Sequence, residues 1–328
     1  MKKSLRLLTG VLTLVLLLTL TKPTYAVTEE AWEEAVTVFG AALQSNTALQ
    51  NTTHDLLGTK DSDKITYVNA ADLGKYLNLQ SSDDVLKSSI RIKKLAQGSG
   101  LTLSIDQSKG KITKITEDTY KNALLTAGVT DADVKIAAAE DVTGESALAG
   151  VYKAFEAQGE AIDQSQTQAA QNELDSITTI TEENQNKDGF SQEQLNKAIA
   201  EAKAEIAEQG GNLSVTEIKN VVTEKINNNG LNNVLNDNQI NIIVNFINNA
   251  QQQGVFTGEN ADKIIDSATG YVNDIKNSDT FKNAADKAKD AGKELKDSLE
   301  EQGVWDKFVT AIQSFFQAIA NFFKSIFA

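Results

Sequence analysis

The residue types that could form a nucleophilic catalytic site are scarce in this chain. Gly144-Glu-Ser-Ala-Leu148 resembles the G-x-S-x-G turn that exposes a nucleophilic serine, but Leu148 stands where that turn needs a small residue. His54 is the only histidine among the 328 residues, and there is no cysteine. A hydrolase built on Ser146 and His54 is therefore disfavoured, and a zinc site made of several imidazoles or thiolates is excluded. We expect Ser146 at the start of a helix and His54 on an exposed turn beside Asp55.

Carboxylates are the remaining side chains that could perform acid–base chemistry. Acidic residues stand close together at Asp61/Asp63, Asp83/Asp84 and Asp131/Asp133. A glycosidase needs two carboxyl groups that face each other across a cleft, which spacing along the chain does not establish. With 45 acidic residues in the chain, such pairs are expected by chance, and we assign them to turns and helix caps. The sequence favours a protein that is not an enzyme, with an exported cell-wall-acting hydrolase as the alternative.

One loop carries an incomplete calcium-binding pattern. Asn184-Gln-Asn-Lys-Asp-Gly-Phe190 lies between two predicted helices and imitates the first half of an EF-hand loop. Such a loop holds calcium with a carboxylate at its first position and a bidentate carboxylate at its twelfth. In this chain Asn184 stands at the first position and Leu195 at the twelfth, so both carboxylates are missing. We therefore interpret the segment as a turn between helices, and we predict no metal and no cofactor.

The segment 304–328 has the strongest amphipathic pattern of the chain. Apolar residues recur there at steps of three and four, and six of the 12 Phe residues lie within the last 21 positions. We predict that this helix binds a membrane surface or a protein partner; the alternative is that it packs as core on the helices of 191–275. Gln313, Gln317 and Asn321 interrupt it, so we do not expect it to span a bilayer. The predicted binding residues are Trp305, Phe308, Ile312, Phe315, Phe316, Ile319, Phe322, Phe323 and Phe327.

The first 26 residues are interpreted as a secretory signal peptide. Lys2, Lys3 and Arg6 form a positively charged start. The apolar run Leu7–Leu20 follows, and Ala26 supplies a small residue for cleavage. This run is shorter than the about 20 residues that a spanning helix needs. We therefore expect a secreted or extracytoplasmic protein, either free or peripherally bound to a membrane.

The charge balance excludes some classes of partner. The chain has 31 basic and 45 acidic residues, and loss of the four basic residues before position 27 changes the net charge from −14 to −18. Such a surface repels phosphate groups, so we predict no nucleic-acid partner. The absence of cysteine excludes disulfides and a cysteine-linked lipid, and the only proline, Pro23, leaves no proline-containing wall-sorting signal in the mature chain.

Hydrophobic periodicity predicts the α+β fold class, with an N-terminal two-layer α/β domain over 27–160. The predicted helices are Glu30–Leu43, Glu117–Ala127 and Glu145–Gln158. The predicted strands are Lys64–Asn69, Ser89–Lys93, Leu101–Ile105 and Asp133–Ala138. Gly98-Ser-Gly100 is predicted as a hairpin turn that pairs the second and third of these strands.

An all-helical C-terminal region is predicted to follow. Residues 161–190 are polar and predicted as a helix or a linker, with the helix favoured, and residues 191–277 are predicted as a helical domain. Ser191-x-x-Gln194 and Ser214-x-x-Glu217 are capping-box patterns that open helical runs. The remaining predicted segments are a charged spacer at 278–303 and the terminal amphipathic helix at 304–328.

Several stretches resemble a known family. Asn122–Lys135 and Val142–Gly150 are similar to the YpuA-like secreted proteins of Gram-positive bacteria, a family of unknown function. Phe39–Leu43 and Ser214–Gln253 add to the resemblance, which covers 36–158 well and the second half loosely. The resemblance implies no reaction, catalytic residue or cofactor. We expect a non-enzymatic bacterial surface or extracellular protein that associates with membrane, cell wall or a protein partner; a membrane-perturbing protein is a further alternative.

Overall fold

A mixed five-stranded sheet underlies the N-terminal half of the protein. The computed structural model describes residues 30–160 and 162–277, so the predicted signal peptide, the spacer of 278–303 and the binding residues of 304–328 lie outside the described residues. The strands are β1 Val36–Gly40, β2 Lys64–Val68, β3 Ser89–Lys94, β4 Leu101–Asp106 and β5 Ala132–Ala137.

Helices make up most of the rest of the described residues. They are α1 Thr47–Leu57, α2 Ala70–Leu77, α3 Glu117–Thr126, α4 Glu145–Ala157, α5 Gln164–Asn184, α6 Gln192–Glu208, α7 Val215–Asn228, α8 Asp237–Gln252 and α9 Glu259–Asn277. The α+β fold class predicted from the sequence is confirmed. None of the helices in the described part of the chain is long and apolar enough to cross a bilayer.

The sheet has the strand order β2-β1-β3-β5-β4. Its two outer pairs, β1 with β2 and β5 with β4, are parallel, whereas β3 is antiparallel to both of its neighbours. Side chains alternate along a strand, so Val38 and Ile90 face the main core, where Gly150 of α4 packs against them. Phe39 faces the opposite side and packs with Leu57 of α1. Helices therefore lie on both faces of the sheet, rather than on one face as the predicted two-layer arrangement requires.

The N-terminal helix predicted for Glu30–Leu43 is wrong. Val36–Gly40 is a strand with all five residues buried, and Ala41–Ser45 forms a short 3-10 helix after it. Because both faces of the sheet are covered at this strand, even polar Thr37 is buried, and the strand lacks the regular alternation of apolar and polar residues that marks a half-exposed strand. The helical spacing of Val36 and Phe39 was misleading, since these side chains enter separate clusters on opposite faces of the sheet.

The hairpin predicted at Gly98-Ser-Gly100 is also wrong. Both glycines have φ of +79°, so a turn does form there. However, β5 lies between β3 and β4 and pairs with both, and the turn leads the chain past this position to the sheet edge. The strand that lies between β3 and β4 comes from a segment about 30 residues later in the chain. The residues of the turn carry no information about this insertion, because turn chemistry is local.

Helix α5 joins the two cores of the protein. Of the two alternatives predicted for 161–190, the helix is found, over 21 residues. Ala170 and Leu174 pack in the core beneath the sheet, while Ile177 and Ile180, one and two turns later, pack in the core formed by α6 to α9. The two halves of the described chain are thus connected by one continuous helix that contributes to both cores.

One of the two capping boxes predicted in the second half forms. The capping box predicted at Ser214 is confirmed, because the Ser214 amide donates to Glu217 Oε2 at 2.7 Å and the Glu217 amide donates to Ser214 Oγ at 3.3 Å. The capping box predicted at Ser191 is wrong, since the Ser191 side chain makes no capping hydrogen bond although it precedes α6.

The apolar stripes predicted in the second half are buried. Those of α7 and α8 share one core with Ile264 of α9. The buried members of the stripes are Ile218, Val221, Val222, Ile226, Ile240, Ile243, Val244, Ile247, Ile264, Ala268 and Val272.

Candidate functional site

Ser146 and His54 do not form a catalytic pair. Ser146 lies in the first turn of α4, as predicted, and is buried; its Oγ donates to the Ser88 carbonyl at 3.0 Å. His54 lies within α1 rather than on the predicted turn, and its hydrogen bond goes to neighbouring Asp55, with Nδ1 3.4 Å from Oδ1. Asn46 caps the N-terminus of this helix, which continues past His54 to Leu57 and ends at Gly58 in the left-handed conformation. The Ser146 hydroxyl therefore serves to fasten α4 to the start of β3.

The acidic pairs were assigned to turns and caps, and this holds for Asp61, Asp63 and Asp131, which lie in turns or bends. Asp83 and Asp84 lie in the short 3-10 helix Asp83–Val85, and the assignment is wrong for Asp133, which lies within strand β5. Asp83 Oδ1 accepts from the Ala70 amide at 2.7 Å, Asp131 Oδ1 accepts from the Gly100 amide at 2.9 Å, and Asp133 Oδ1 accepts from Thr102 Oγ1 at 2.8 Å. Each of these carboxylates is thus held by a backbone or hydroxyl donor of a neighbouring segment.

Asp63 has the most constrained carboxylate of these pairs. Arg91 Nε donates to Asp63 Oδ2 at 2.7 Å and an Arg91 terminal nitrogen donates to Oδ1 at 3.0 Å, which makes a bidentate ion pair. Thr37 Oγ1 and the Lys60 amide also donate to Oδ2. Burial alone would raise the pKa of Asp63, but these hydrogen bonds and the guanidinium charge outweigh it and hold the pKa below its ordinary value. Its role is to join β1 and β3 to the turn before β2.

In the loop with the incomplete calcium-binding pattern, a lysine of the same loop binds the first ligand position. Asn184 is fully buried, and its Oδ1 accepts from Lys187 Nζ at 2.7 Å while its Nδ2 donates to the Ile180 carbonyl at 2.6 Å. An ammonium group therefore binds the oxygen that stands at the first ligand position. Within residues 30–160 and 162–277, no group of three His, Asp or Glu residues is arranged to hold a metal ion. The interpretation of this segment as an interhelical turn agrees with these contacts.

A cleft of about 690 Å³ lies where the sheet half meets the helical half. Its walls come from the end of β4, the start of α3, the C-terminal turns of α5 and the start of α6. The apolar part of the wall is formed by Ile105, Ile112 and Ile115. The charged part is formed by Lys114, Lys121, Glu117, Asp118, Glu182 and Glu193.

The charges in the cleft are partly engaged within the protein. Glu117 Oε1 accepts from the Ile105 amide at 2.7 Å, so this carboxylate fixes the first turn of α3 to the edge strand β4. Lys114 Nζ and Glu182 Oε1 approach to 3.9 Å from opposite walls, and about half of each side chain is exposed. This mixture of apolar surface, carboxylates, lysines and hydroxyls suits an extended polar ligand better than a small apolar one.

A buried polar seam lies directly behind the cleft, between α3 and α6. Asn122 Nδ2 donates to both the carbonyl and the Oδ1 of Asn196, at 3.0 and 2.9 Å. Lys203 Nζ donates to the Asn122 carbonyl at 2.7 Å and to Glu173 Oε1 at 2.7 Å. Burial raises the pKa of Glu173 and lowers that of Lys203, because loss of water disfavours both charged forms; their mutual attraction opposes both shifts.

Sequence reasoning identified neither the cleft nor the seam. Thr119, Asn122 and Thr126 are polar and share one face of α3, which is the usual pattern of a solvated face. In the structure all three are fully buried because α5 and α6 pack on that face. No local signal in the sequence distinguishes such a polar seam from exposed surface. The predicted binding residues Trp305 to Phe327 lie outside the described residues, so they remain a prediction.

Comparison with known proteins identifies the family. Residues 39–268 match the family described as a protein of unknown function (DUF1002). The chain is also 31% identical over 274 residues, 82% of its length and 89% of the relative's, to an uncharacterized protein of Bacillus subtilis (strain 168), YpuA. No solved structure matches significantly. The YpuA-like resemblance read from Asn122–Lys135 and Val142–Gly150 is thereby confirmed, and this chain belongs to the DUF1002 family of proteins of unknown function.

Proposed function

We propose that this protein is an exported, non-enzymatic bacterial protein that acts by association, and that residues 304–328 attach it to a membrane surface. Export is supported by the positively charged start, the apolar run Leu7–Leu20 and the small residue Ala26. A non-catalytic role is supported by the contacts of Ser146, His54 and the acidic pairs, which are structural in the described part of the chain.

The observation that carries the attachment proposal is a mismatch of apolar surfaces. In the sequence of 304–328, aromatic and branched residues recur at steps of three and four, the spacing of one apolar helix face. Among the described residues, the large apolar side chains that are exposed are Ile65, Val85 and Val215, each on a different element. The stripes of α7 and α8 that could have received the segment already lie in a core with residues of α5, α6 and α9. A surface outside the fold is therefore the better match for this face.

Vesicle flotation tests the attachment. We expect the mature chain, residues 27–328, to float with vesicles of anionic and zwitterionic lipid, and a variant with Phe315→Ser and Phe316→Ser to stay with the soluble fraction. A matched control with Gln313→Ser and Gln317→Ser changes the polar face of the same segment and should float as the parent chain does. Equal flotation of parent and Phe variant, or flotation of neither, would contradict the proposal. Release of a trapped dye by the parent chain alone would instead favour membrane perturbation.

One observation supports the second candidate, an exported cell-wall-acting hydrolase. Glu117, Asp118, Glu182 and Glu193 line the same cleft, and acid–base chemistry on a polysaccharide uses carboxylates placed in a cleft. We rank it second because Glu117 is already bound to a backbone amide and Glu182 lies near Lys114. Cell-wall digestion that is retained by the parent chain and lost in Glu182→Gln and Glu193→Gln variants would reverse this ranking.

A further inference from the structure

A lysine, an asparagine and a glutamate form a closed ring of contacts between α6 and the end of α7. Lys197 Nζ lies 2.5 Å from Asn229 Oδ1, and Glu201 Oε1 lies 2.8 Å from Lys197 Nζ. Asn229 Nδ2 completes the ring by donating to Glu201 Oε2 at 2.7 Å. Lys197 and Asn229 are 6% and 5% exposed, so water has little access to the contact between them.

Regular elements hold each member of this ring in place. Lys197 and Glu201 are one turn apart on α6, which puts both side chains on the same face of the helix. Asn229 follows the last residue of α7, and its Nδ2 also donates to the Lys225 carbonyl at 2.9 Å. The carboxamide is thus presented to the lysine by a helix end, which restricts its motion.

We propose that Lys197 and Asn229 become joined by an intramolecular isopeptide bond, with Glu201 as the acid–base group. A carbonyl bond is about 1.2 Å long, so Lys197 Nζ lies no more than about 3.7 Å from Asn229 Cγ, close to the separation of reacting groups. Attack requires Lys197 Nζ to approach Asn229 Cγ from one face of the planar carboxamide. Between free side chains in water, the reaction is slow because the two groups are not held in a reactive orientation and water surrounds both of them. Here the helices fix the orientation and burial excludes most of the water.

The chemistry balances without an oxidant or a co-reactant. Glu201 accepts a proton from the Lys197 ammonium, and the neutral Nζ adds to Asn229 Cγ. The Nζ–Cγ bond forms as the Cγ–Nδ2 bond breaks, and Glu201 returns its proton to the departing Nδ2. The second proton lost by Nζ leaves with the ammonia, so a lysine ammonium and a carboxamide become a secondary amide and an ammonium ion. Glu201 ends as a carboxylate, as it began.

Mass spectrometry of the denatured mature chain tests the proposal. We expect a mass about 17 Da below that of the unmodified sequence, the loss of one ammonia. After trypsin digestion, residues 188–203, uncut at Lys197, should be found linked to residues 226–263. The linked pair is required because ring closure of Asn229 onto the Gly230 amide also removes ammonia. A mass loss without the linked pair, or no mass loss, would overturn the proposal.

Variants identify the roles of the three residues. Lys197→Arg and Glu201→Gln should each abolish the linked pair, and far-UV circular dichroism will verify that they fold. The matched controls Asn228→Ala and Glu224→Gln alter exposed neighbours on α7 and should retain it. A linked pair formed to the same extent in Glu201→Gln would overturn the assignment of Glu201 as the acid–base group.

Discussion

Lys203 Nζ lies 2.7 Å from Glu173 Oε1, and each of these side chains is only 1% exposed. The pair connects α5 to α6 at the level where α5 passes from one core to the other. Lys203 also donates to the Asn122 carbonyl and to Thr126 Oγ1, at 2.7 and 3.1 Å, so α3 is held by the same ammonium group. The junction of the two halves is thus organised around one buried charge pair.

Removal of one member of this pair should destabilise the protein strongly. We expect Lys203→Met to lower the free energy of unfolding by about 3–5 kcal/mol, because Glu173 would remain buried without its counter-ion. The double variant Lys203→Met, Glu173→Leu should cost less than the sum of the single changes. Urea unfolding of the four proteins measures this, with exposed Lys219→Met as the control. Additive losses would show that the two charges are not coupled.

The bidentate pair of Asp63 with Arg91 should contribute to the pH dependence of stability. The pKa of Asp63 is lowered from 3.8 in the folded protein, so folding favours the carboxylate. Its contribution is present above about pH 4 and is lost as the pH falls through the folded pKa. Asp63→Asn should therefore lower the melting temperature at pH 7 and flatten its fall in acid. Exposed Asp61→Asn should keep the acid dependence of the parent, and an unchanged slope in Asp63→Asn would contradict this reasoning.

The turn between α6 and α7 should tolerate no side chain at Gly211. Its φ is +62°, and a Cβ there would collide with the carbonyl of buried Phe256. We expect Gly211→Ala to cost at least about 1–3 kcal/mol in unfolding free energy, from backbone strain alone. Gly270 provides the opposite case, because it is exposed within α9 and a Cβ added to it would meet no atom within 4 Å. Gly270→Ala should stabilise by about 0.5–1 kcal/mol, since it restricts the unfolded chain; equal effects at both sites would contradict the packing argument.

Tryptophan fluorescence should separate the fold from the proposed attachment segment. Trp32 is buried against Phe155, with ring centroids 4.9 Å apart, and its Nε1 donates to Glu160 at 2.6 Å. Its emission should therefore be insensitive to lipid. We expect vesicles to shift the emission of the mature chain to shorter wavelength, and this shift to persist in Trp32→Phe and to vanish in Trp305→Phe. A shift that persists in Trp305→Phe would place the lipid contact elsewhere.

The pattern of apolar residues predicted four of the five described strands and most of the described helices, because apolar residues recur in each of them at the period of the element. Exposed and less exposed residues alternate in the first part of Leu101–Asp106, whereas burial increases steadily along Lys64–Val68. Helices α3 and α4 match their predicted bounds closely although few of their residues are exposed. The prediction for Val36–Gly40 failed because this strand is buried on both faces of the sheet. The candidate cleft could not be predicted, since its lining comes from two stretches, 105–121 and 178–193, that are separated by more than about 50 residues along the chain.

By itself, the sequence determined the fold class, the family and the chemistry that the chain lacks. These follow from periodicity, from short local motifs and from the absence of cysteine and of a second histidine, none of which depends on distant contacts. Only the tertiary structure decided that Asn122, Glu173 and Lys203 are buried together, and that Lys197 meets Asn229. The physical reason is that a polar residue on a helix face has the same local pattern whether water or another helix covers it. Which of these covers it depends on the packing of segments far apart in the chain.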